Sequence, residues 1–133
     1  MLTSTIRWVQ GKQFVGTDSF GQSIVLTGDD AHGGIRPSQA LLIALGSCSS
    51  VDVVEILLKK RMPLRSLEIV VTGEQDEEPP WAYRKIHIHY RLSGDNLTEK
   101  AVDQAVRLAE ERCCSVAATV RGVAQITTDF EIT

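Results

Sequence analysis

Residues 36–61, RPSQALLIALGSCSSVDVVEILLKKR, form the stretch that decides the fold. Pro37 suits the first turn of a helix, where its missing N–H costs nothing. The basic run 59–61 suits the negative C-terminal pole of a helix, and Met62-Pro63 predicts where the helix ends. The pattern therefore predicts one long helix with a single cysteine, Cys48, near its middle.

The apolar residues of this helix do not keep to one stripe. They surround its axis: Leu41, Leu42, Ile43, Leu45, Val51, Val53, Val54, Ile56, Leu57 and Leu58. A helix that is apolar on all sides is buried or spans a membrane. Asp52 and Glu55 interrupt the run, so we expect no membrane span. We expect a buried central helix that one chain cannot cover alone, so that a second copy of the chain helps to cover it.

Composition narrows the class of protein. The chain has 133 residues, enough for one domain over residues 1–133, and its net charge of −3 argues against a nucleic-acid partner. The segment MLTSTIRWVQGKQF lacks the apolar region of a secretory signal, so we expect a cytoplasmic protein. Three cysteines cannot all pair within one chain, and in a reducing compartment they are free, catalytic or metal-binding. No C-x-x-C spacing is present, so neither a metal nor a cofactor is expected.

The remaining sequence predicts an α+β fold in the order β-β-β-α-β-β-α-β. Alternation and turn residues predict strands at Thr3–Val9, Gln13–Thr17, Ser23–Thr27, Leu64–Gly73, Trp81–Leu92 and Val123–Ile132, with a loop at Gly28–Gly34. A second helix is expected from a cap at Asn96 to about Arg112, and a short helix from Ser115 to Val120. His87 and His89 share one face of a strand, which we interpret as a solvated polar face because two ligands make no metal site.

Two motifs of the chain are PSQALLIALGSCSSVDV at 37–53 and CCSVAATV at 113–120. Together they resemble the OsmC/Ohr family of organic hydroperoxide reductases. The resemblance covers nearly the whole chain, including the order of elements and the separation of the cysteines. It implies an intertwined homodimer in which two long helices pack beneath sheets built from both chains. It also implies the reduction of small hydrophobic hydroperoxides.

The resemblance implies a role for each of two cysteines. Cys48 would attack the peroxide and become a sulfenic acid, and Cys114 would close a disulfide that a dithiol reductant, of the lipoyl type for example, reopens. Cys113 stands where the family often has an aromatic residue, and we interpret it as a packing residue. Family members also use an arginine from the N-terminal sheet and a glutamate, but the glutamate's position here is Ser38. Arg7 and Arg36 are the candidates for the arginine.

The residues themselves constrain this chemistry. A thiolate is the nucleophile, and an ordinary cysteine is mostly protonated at neutral pH. Asp52 and Glu55 follow Cys48 by one and two helical turns, and nearby carboxylates would raise the pKa of its thiol. We therefore expect a cation, Arg36 or Arg7, beside Cys48.

Two other interpretations of the function remain open. The same fold could serve as a non-catalytic small-molecule carrier or thiol redox sensor, which the absence of the glutamate at Ser38 motivates. Alternatively, the cysteines could be inert, because a single cysteine in a buried helix is usually a small core residue.

Overall fold

The computed structural model describes residues 1–29 and 33–133, which form two compact units, residues 1–41 and residues 42–133. His32 and part of the predicted loop at 28–34 lie outside the described residues. The order of helices and strands is the predicted α+β order, with shifts of a few residues at the boundaries.

The first unit contains an antiparallel meander. Its strands are β1 (Thr5–Gln10), β2 (Gln13–Thr17) and β3 (Ser23–Thr27), paired in chain order. The turn between β1 and β2 needs Gly11, whose φ of 51° lies in the left-handed region that favours glycine. Apolar side chains of these strands are exposed, including Ile6, Trp8 and Ile24.

The central helix, α1, runs from Pro37 to Lys59 and spans both units. At Gly46 it lies so close to the following strand that an added Cβ would be 2.7 Å from Val71 Cγ2. The absence of a side chain at Gly46, two residues before Cys48, lets the helix pack closely on that strand.

The second unit is built on a mixed sheet in the order β4-β5-β6. Strands β4 (Ser66–Gln75) and β5 (Tyr83–Ser93) pair antiparallel, whereas β5 and β6 (Gln125–Ile132) pair parallel. A parallel pair needs a long crossover connection. The chain supplies it with α2 (Glu99–Leu108), a π-helical turn (Ala109–Cys113) and α3 (Ser115–Val120).

Two details of this crossover differ from the sequence prediction. The N-cap of α2 is Thr98, whose hydroxyl accepts from the Ala101 N–H at 3.2 Å, and Asn96 lies outside the helix. The α-helical pattern also ends at Leu108, because the chain widens into the π-helical turn before Cys114. Such turns inside helical segments are common at functional sites.

The alternation of β5 is confirmed. From residue 86 onward its even-numbered residues belong to the core, and they are fully or almost fully buried: Ile86, Ile88, Tyr90 and Leu92. Its odd-numbered residues carry the polar side chains of the opposite face.

A single chain buries only one face of α1. Leu45, Val53 and Leu57 are fully buried, whereas Ile43 is 54% exposed and Leu58 is 59% exposed. One chain therefore does not enclose the helix, as the sequence led us to expect. By length and mean hydropathy, 2.0, α1 could also cross a membrane, but the core helix of a soluble protein passes the same test. Its packing on β4 and β5 is typical of a core helix.

Candidate functional site

The structure brings Cys48 and Cys114 together. Cys48 lies on α1 and is partly buried, and Cys114 is buried at the N-cap of α3. The two thiols lie close enough for each to shift the pKa of the other, and no disulfide joins them. The crossover between β5 and β6 thus places a residue from the far end of the chain against the middle of α1.

The surroundings of Cys48 favour its thiolate. Burial raises the pKa of this thiol, but a hydrogen bond from the Cys114 thiol and others from the Val116 N–H and from Ser115 lower it. The hydrogen bonds outweigh burial, and the pKa of Cys48 lies below its ordinary value. A lowered pKa increases the fraction of the nucleophilic form at neutral pH.

The surroundings of Cys114 act in the opposite direction. Burial raises the pKa of the Cys114 thiol, and the neighbouring Cys48 raises it further. The Ala117 N–H, 3.3 Å from Cys114 Sγ, and the Ser49 hydroxyl lower it without cancelling the rise. The pair is therefore polarised, with Cys48 as the more acidic thiol and Cys114 as the donor to it.

Neutral donors act on Cys48 in this geometry. Hydrogen bonds from Cys114, Ser115 and Val116 lower the pKa of its thiol. The cation that we expected beside Cys48 stays a prediction. The start of α3 acts on both thiols: the Ala117 N–H lowers the pKa of Cys114, whereas Ser115 and Val116 lower the pKa of Cys48.

The two candidate arginines lie in the first unit. Arg7 is on β1, and Arg36 immediately precedes α1, where its carbonyl accepts from the Ala40 N–H at 2.9 Å. Both cysteines belong to the second unit. A role for either arginine beside Cys48 stays a prediction.

Cys113 differs from its expected role. Its side chain is exposed at the end of the π-helical turn, so within this chain it is not a packing residue. Cys113 is exposed and Cys114 is buried, so the two adjacent cysteines have different environments.

Sequence reasoning missed two hydroxyl groups of the site. Ser49 and Tyr90 are fully buried, and Ser49 lies against both Cys114 and Tyr90. A signal for Tyr90 was present, since it is the one residue with a hydroxyl among the inward-facing positions of β5.

The histidines on the other face of the sheet are paired with acidic side chains. His87 Nε2 and His89 Nδ1 each lie 2.7 Å from Asp129 Oδ1, and His89 Nε2 lies 3.1 Å from Glu131 Oε2. Within residues 1–29 and 33–133, no group of three or more His, Cys, Asp or Glu side chains is arranged to hold a metal ion.

Known proteins are similar to this chain over nearly all of its length. Protein YhfA of Escherichia coli (strain K12) is 34% identical over 131 residues, covering 98% of both chains. The crystal structure of a hypothetical protein from Aquifex aeolicus VF5 has a TM-score of 0.86 and 31% identity, covering 100% of this chain and 98% of that one.

A more distant structure shares the fold. The organic hydroperoxide resistance protein OhrB of Bacillus subtilis has a TM-score of 0.65 at 16% identity, covering 98% of each chain. Residues 28–129 match the family described as OsmC-like protein. Because this match covers more than half of the chain, including α1 and both site cysteines, the chain belongs to the OsmC-like protein family.

Proposed function

We propose that this protein is a thiol peroxidase that reduces small hydrophobic hydroperoxides in the cytoplasm. Membership of the OsmC-like family points to a redox or peroxide-related function, and the name of OhrB, an organic hydroperoxide resistance protein, agrees with this. The observation that carries the proposal is the polarised contact between Cys48 and Cys114.

The first step of the proposed cycle is attack by the Cys48 thiolate on the terminal oxygen of the hydroperoxide. An S–O bond forms, the O–O bond breaks, and the alkoxide leaves as an alcohol after taking up a proton. Cys48 is then a sulfenic acid, which is reversible and condenses with a thiol to a disulfide. The hydrogen bonds from Ser115 and Val116 support this step because they favour the attacking anion.

The second step closes a disulfide. Cys114 attacks the sulfur of the sulfenic acid, an S–S bond forms, and the oxygen leaves as water. The two thiols are already in contact, which supports closure without a large movement of the chain. An external dithiol then reopens the bond by two thiol–disulfide exchanges and is itself oxidised to a disulfide. A lipoyl-type dithiol is our proposed reductant.

Intact-mass spectrometry tests the cycle. The reduced protein is treated with one equivalent of cumene hydroperoxide, with and without dihydrolipoamide. We expect the loss of two hydrogens, mapped to a Cys48–Cys114 disulfide and reversed by the dithiol. The Cys113→Ser variant should behave in the same way. An unchanged mass, or a Cys48 sulfenic acid that only oxidises further, would contradict the proposal.

A redox sensor or small-molecule carrier is the second candidate, and Ser38 in place of the family glutamate favours it. A sensor consumes one equivalent of peroxide, whereas an enzyme consumes many in the presence of a dithiol. Peroxide consumption over repeated additions of dihydrolipoamide therefore separates the two functions.

We also propose that the protein is a homodimer in which a second copy covers the exposed face of α1. This face carries Ile43, Val51 and Leu58, each more than half exposed within one chain. Exposed apolar surface of this extent on one helix is typical of an interface. Light scattering should give twice the chain mass for the wild type and for the control Lys100→Glu on α2. It should give a smaller mass for Ile43→Glu, and a monomeric wild type would contradict the proposal.

A further inference from the structure

Three serines flank Cys48, and only one of them turns into the core. Ser47 donates to the Ile43 carbonyl at 2.7 Å, and Ser50 donates to the Gly46 carbonyl at 2.6 Å. Both follow the common pattern in which a helical serine bonds to the carbonyl one turn earlier. Ser49 is fully buried, and its hydroxyl has no partner that meets hydrogen-bond criteria among the described residues.

The Ser49 hydroxyl lies between two other groups of the site. It is close enough to Cys114 Sγ and to the Tyr90 hydroxyl to lower the pKa of both, although neither approach satisfies the criteria of a formed hydrogen bond. The Tyr90 hydroxyl is likewise buried without a partner among the residues described. Catalytic hydrogen bonds are often long before the reaction and tighten as charge develops.

Unpaired buried hydroxyls are rare because they lose their hydrogen bonds to water, so each one needs an explanation. Two of them adjoin one another here, and one also adjoins the buried thiol of Cys114. Packing alone would be served better by Ala and Phe at these positions, since neither carries a polar atom. The arrangement instead suits a site where negative charge appears for a short time.

We propose that Ser49 and Tyr90 form a hydroxyl pair that stabilises the developing Cys114 thiolate while the disulfide closes. Ser49 donates its O–H to Cys114 Sγ, and Tyr90 donates its O–H to Ser49. Ser49 therefore acts on a reacting atom, whereas Tyr90 is a positioning residue. This inference rests on the proposed function, because it concerns the second step of that cycle.

The step balances without a further reactant. The Cys114 sulfur attacks the Cys48 sulfenic sulfur, the S–S bond forms and the S–O bond breaks. The proton of the Cys114 thiol goes to the departing oxygen and yields water. Ser49 and Tyr90 keep their protons, and only the directions of their O–H bonds change.

The electrostatics explain why Cys114 needs such help. Burial raises the pKa of its thiol, so little thiolate exists at neutral pH. Burial also raises the pKa of Tyr90 to about 12, and Cys114, Glu110 and Asp52 raise it as well, so Tyr90 remains a donor. With Cys48 beside Cys114, these are the titratable groups that face the pair.

The test compares Ser49→Ala with Ser50→Ala, each in the Cys113→Ser background. Formation of the sulfenic acid and closure of the disulfide are followed separately by rapid quenching across a range of pH. For Ser49→Ala we expect unchanged sulfenic acid formation and disulfide closure slowed about tenfold at neutral pH, as for loss of a hydrogen bond to a charged group. The deficit should shrink at high pH, where Cys114 ionises without help. Ser50→Ala should close like the parent.

Two further variants separate this role from a structural one. Tyr90→Phe should slow closure in the same direction by a smaller factor, and Ser49→Thr, which keeps the hydroxyl, should restore it. An Ser49→Ala protein that closes at the parental rate and with the parental pH profile would overturn the inference. So would equal losses in both steps.

A measurement without peroxide distinguishes failure of this inference from failure of the proposed function. In Cys48→Ser, carbon-13 NMR of the Cys114 Cβ reports ionisation of the thiol directly. We expect its titration to move to higher pH when Ser49 becomes Ala, and an unmoved titration would overturn the inference. A wild-type protein that forms no sulfenic acid would overturn the proposed function, whatever the titration of Cys114.

Discussion

The two faces of β5 use polar side chains in opposite ways. On the outer face, His87, His89 and Arg91 are all paired with side chains of β6, at distances from 2.7 to 3.1 Å. On the inner face, the Tyr90 hydroxyl is buried and has no formed hydrogen bond among the described residues. The outer face looks more like a site in the sequence, because it is rich in histidine and carboxylate.

The comparison teaches that buried polar groups without hydrogen bonds mark the site better than a larger number of paired polar groups does. Paired and solvated charges contribute little free energy, and changes to them are tolerated. A buried hydroxyl without a partner is costly, and it persists where something else depends on it. In this protein the two unpaired hydroxyls lie near Cys114, and the paired histidines lie on the other face of the sheet.

The largest expected difference between the faces is in turnover. Cys48→Ser should abolish dithiol-dependent consumption of cumene hydroperoxide, because it removes the proposed attacking sulfur. Cys114→Ser should keep the first oxidation and lose recycling. His87→Gln on the outer face should stay within about twofold of the wild type, as expected for surface substitutions. A Cys48→Ser protein with full activity would refute the assignment of the nucleophile.

The next difference is in stability. Ile88→Ala removes a fully buried side chain, and we expect it to lower the free energy of unfolding by about 2–5 kcal/mol. His87→Ala, one residue earlier on the exposed face, should cost at most about 1 kcal/mol. Urea unfolding of the two variants measures the contrast. Equal losses would mean that the outer pairs stabilise the sheet as much as the core does.

The smallest expected effect is the pH dependence of the outer face. The hydrogen bond to Asp129 raises the pKa of His89, and the bond to Glu131 adds to the rise despite partial desolvation. A raised pKa in the folded state means that the stabilisation is complete below about pH 6.5, the unfolded value, and is lost as the pH rises through the folded value.

His89 also affects stability at low pH through Asp129. Its hydrogen bond lowers the pKa of the Asp129 carboxyl. The contribution of Asp129 to stability is therefore lost only as the pH falls through the folded pKa of that carboxyl. We therefore expect the urea midpoint to fall as the pH rises above about 6.5, and to fall less in His89→Gln. An identical fall in both proteins would assign the effect to other groups.

Much of the fold was predictable because it depends on local periodicity. The apolar pattern and Pro37 predicted α1, and the alternation over Trp81–Leu92 predicted strand β5, both within a few residues. Less predictable were the choice of Thr98 over Asn96 as a cap and the π-helical turn before Cys114. Several polar residues there compete for the same role, and packing of α2 on the sheet selects among them.

The sequence by itself determined the α+β order, the long helix that carries Cys48 and, through two motifs, the family. Only the tertiary structure decided which groups meet at the thiols. The crossover between β5 and β6 turns the N–H groups of Ser115 and Val116 towards Cys48, and it places Cys114 over Ser49 and Tyr90. These residues come from α1, β5 and α3, which are distant in the chain. Their convergence depends on how the helices pack on the sheet, and no local pattern encodes a contact between distant segments.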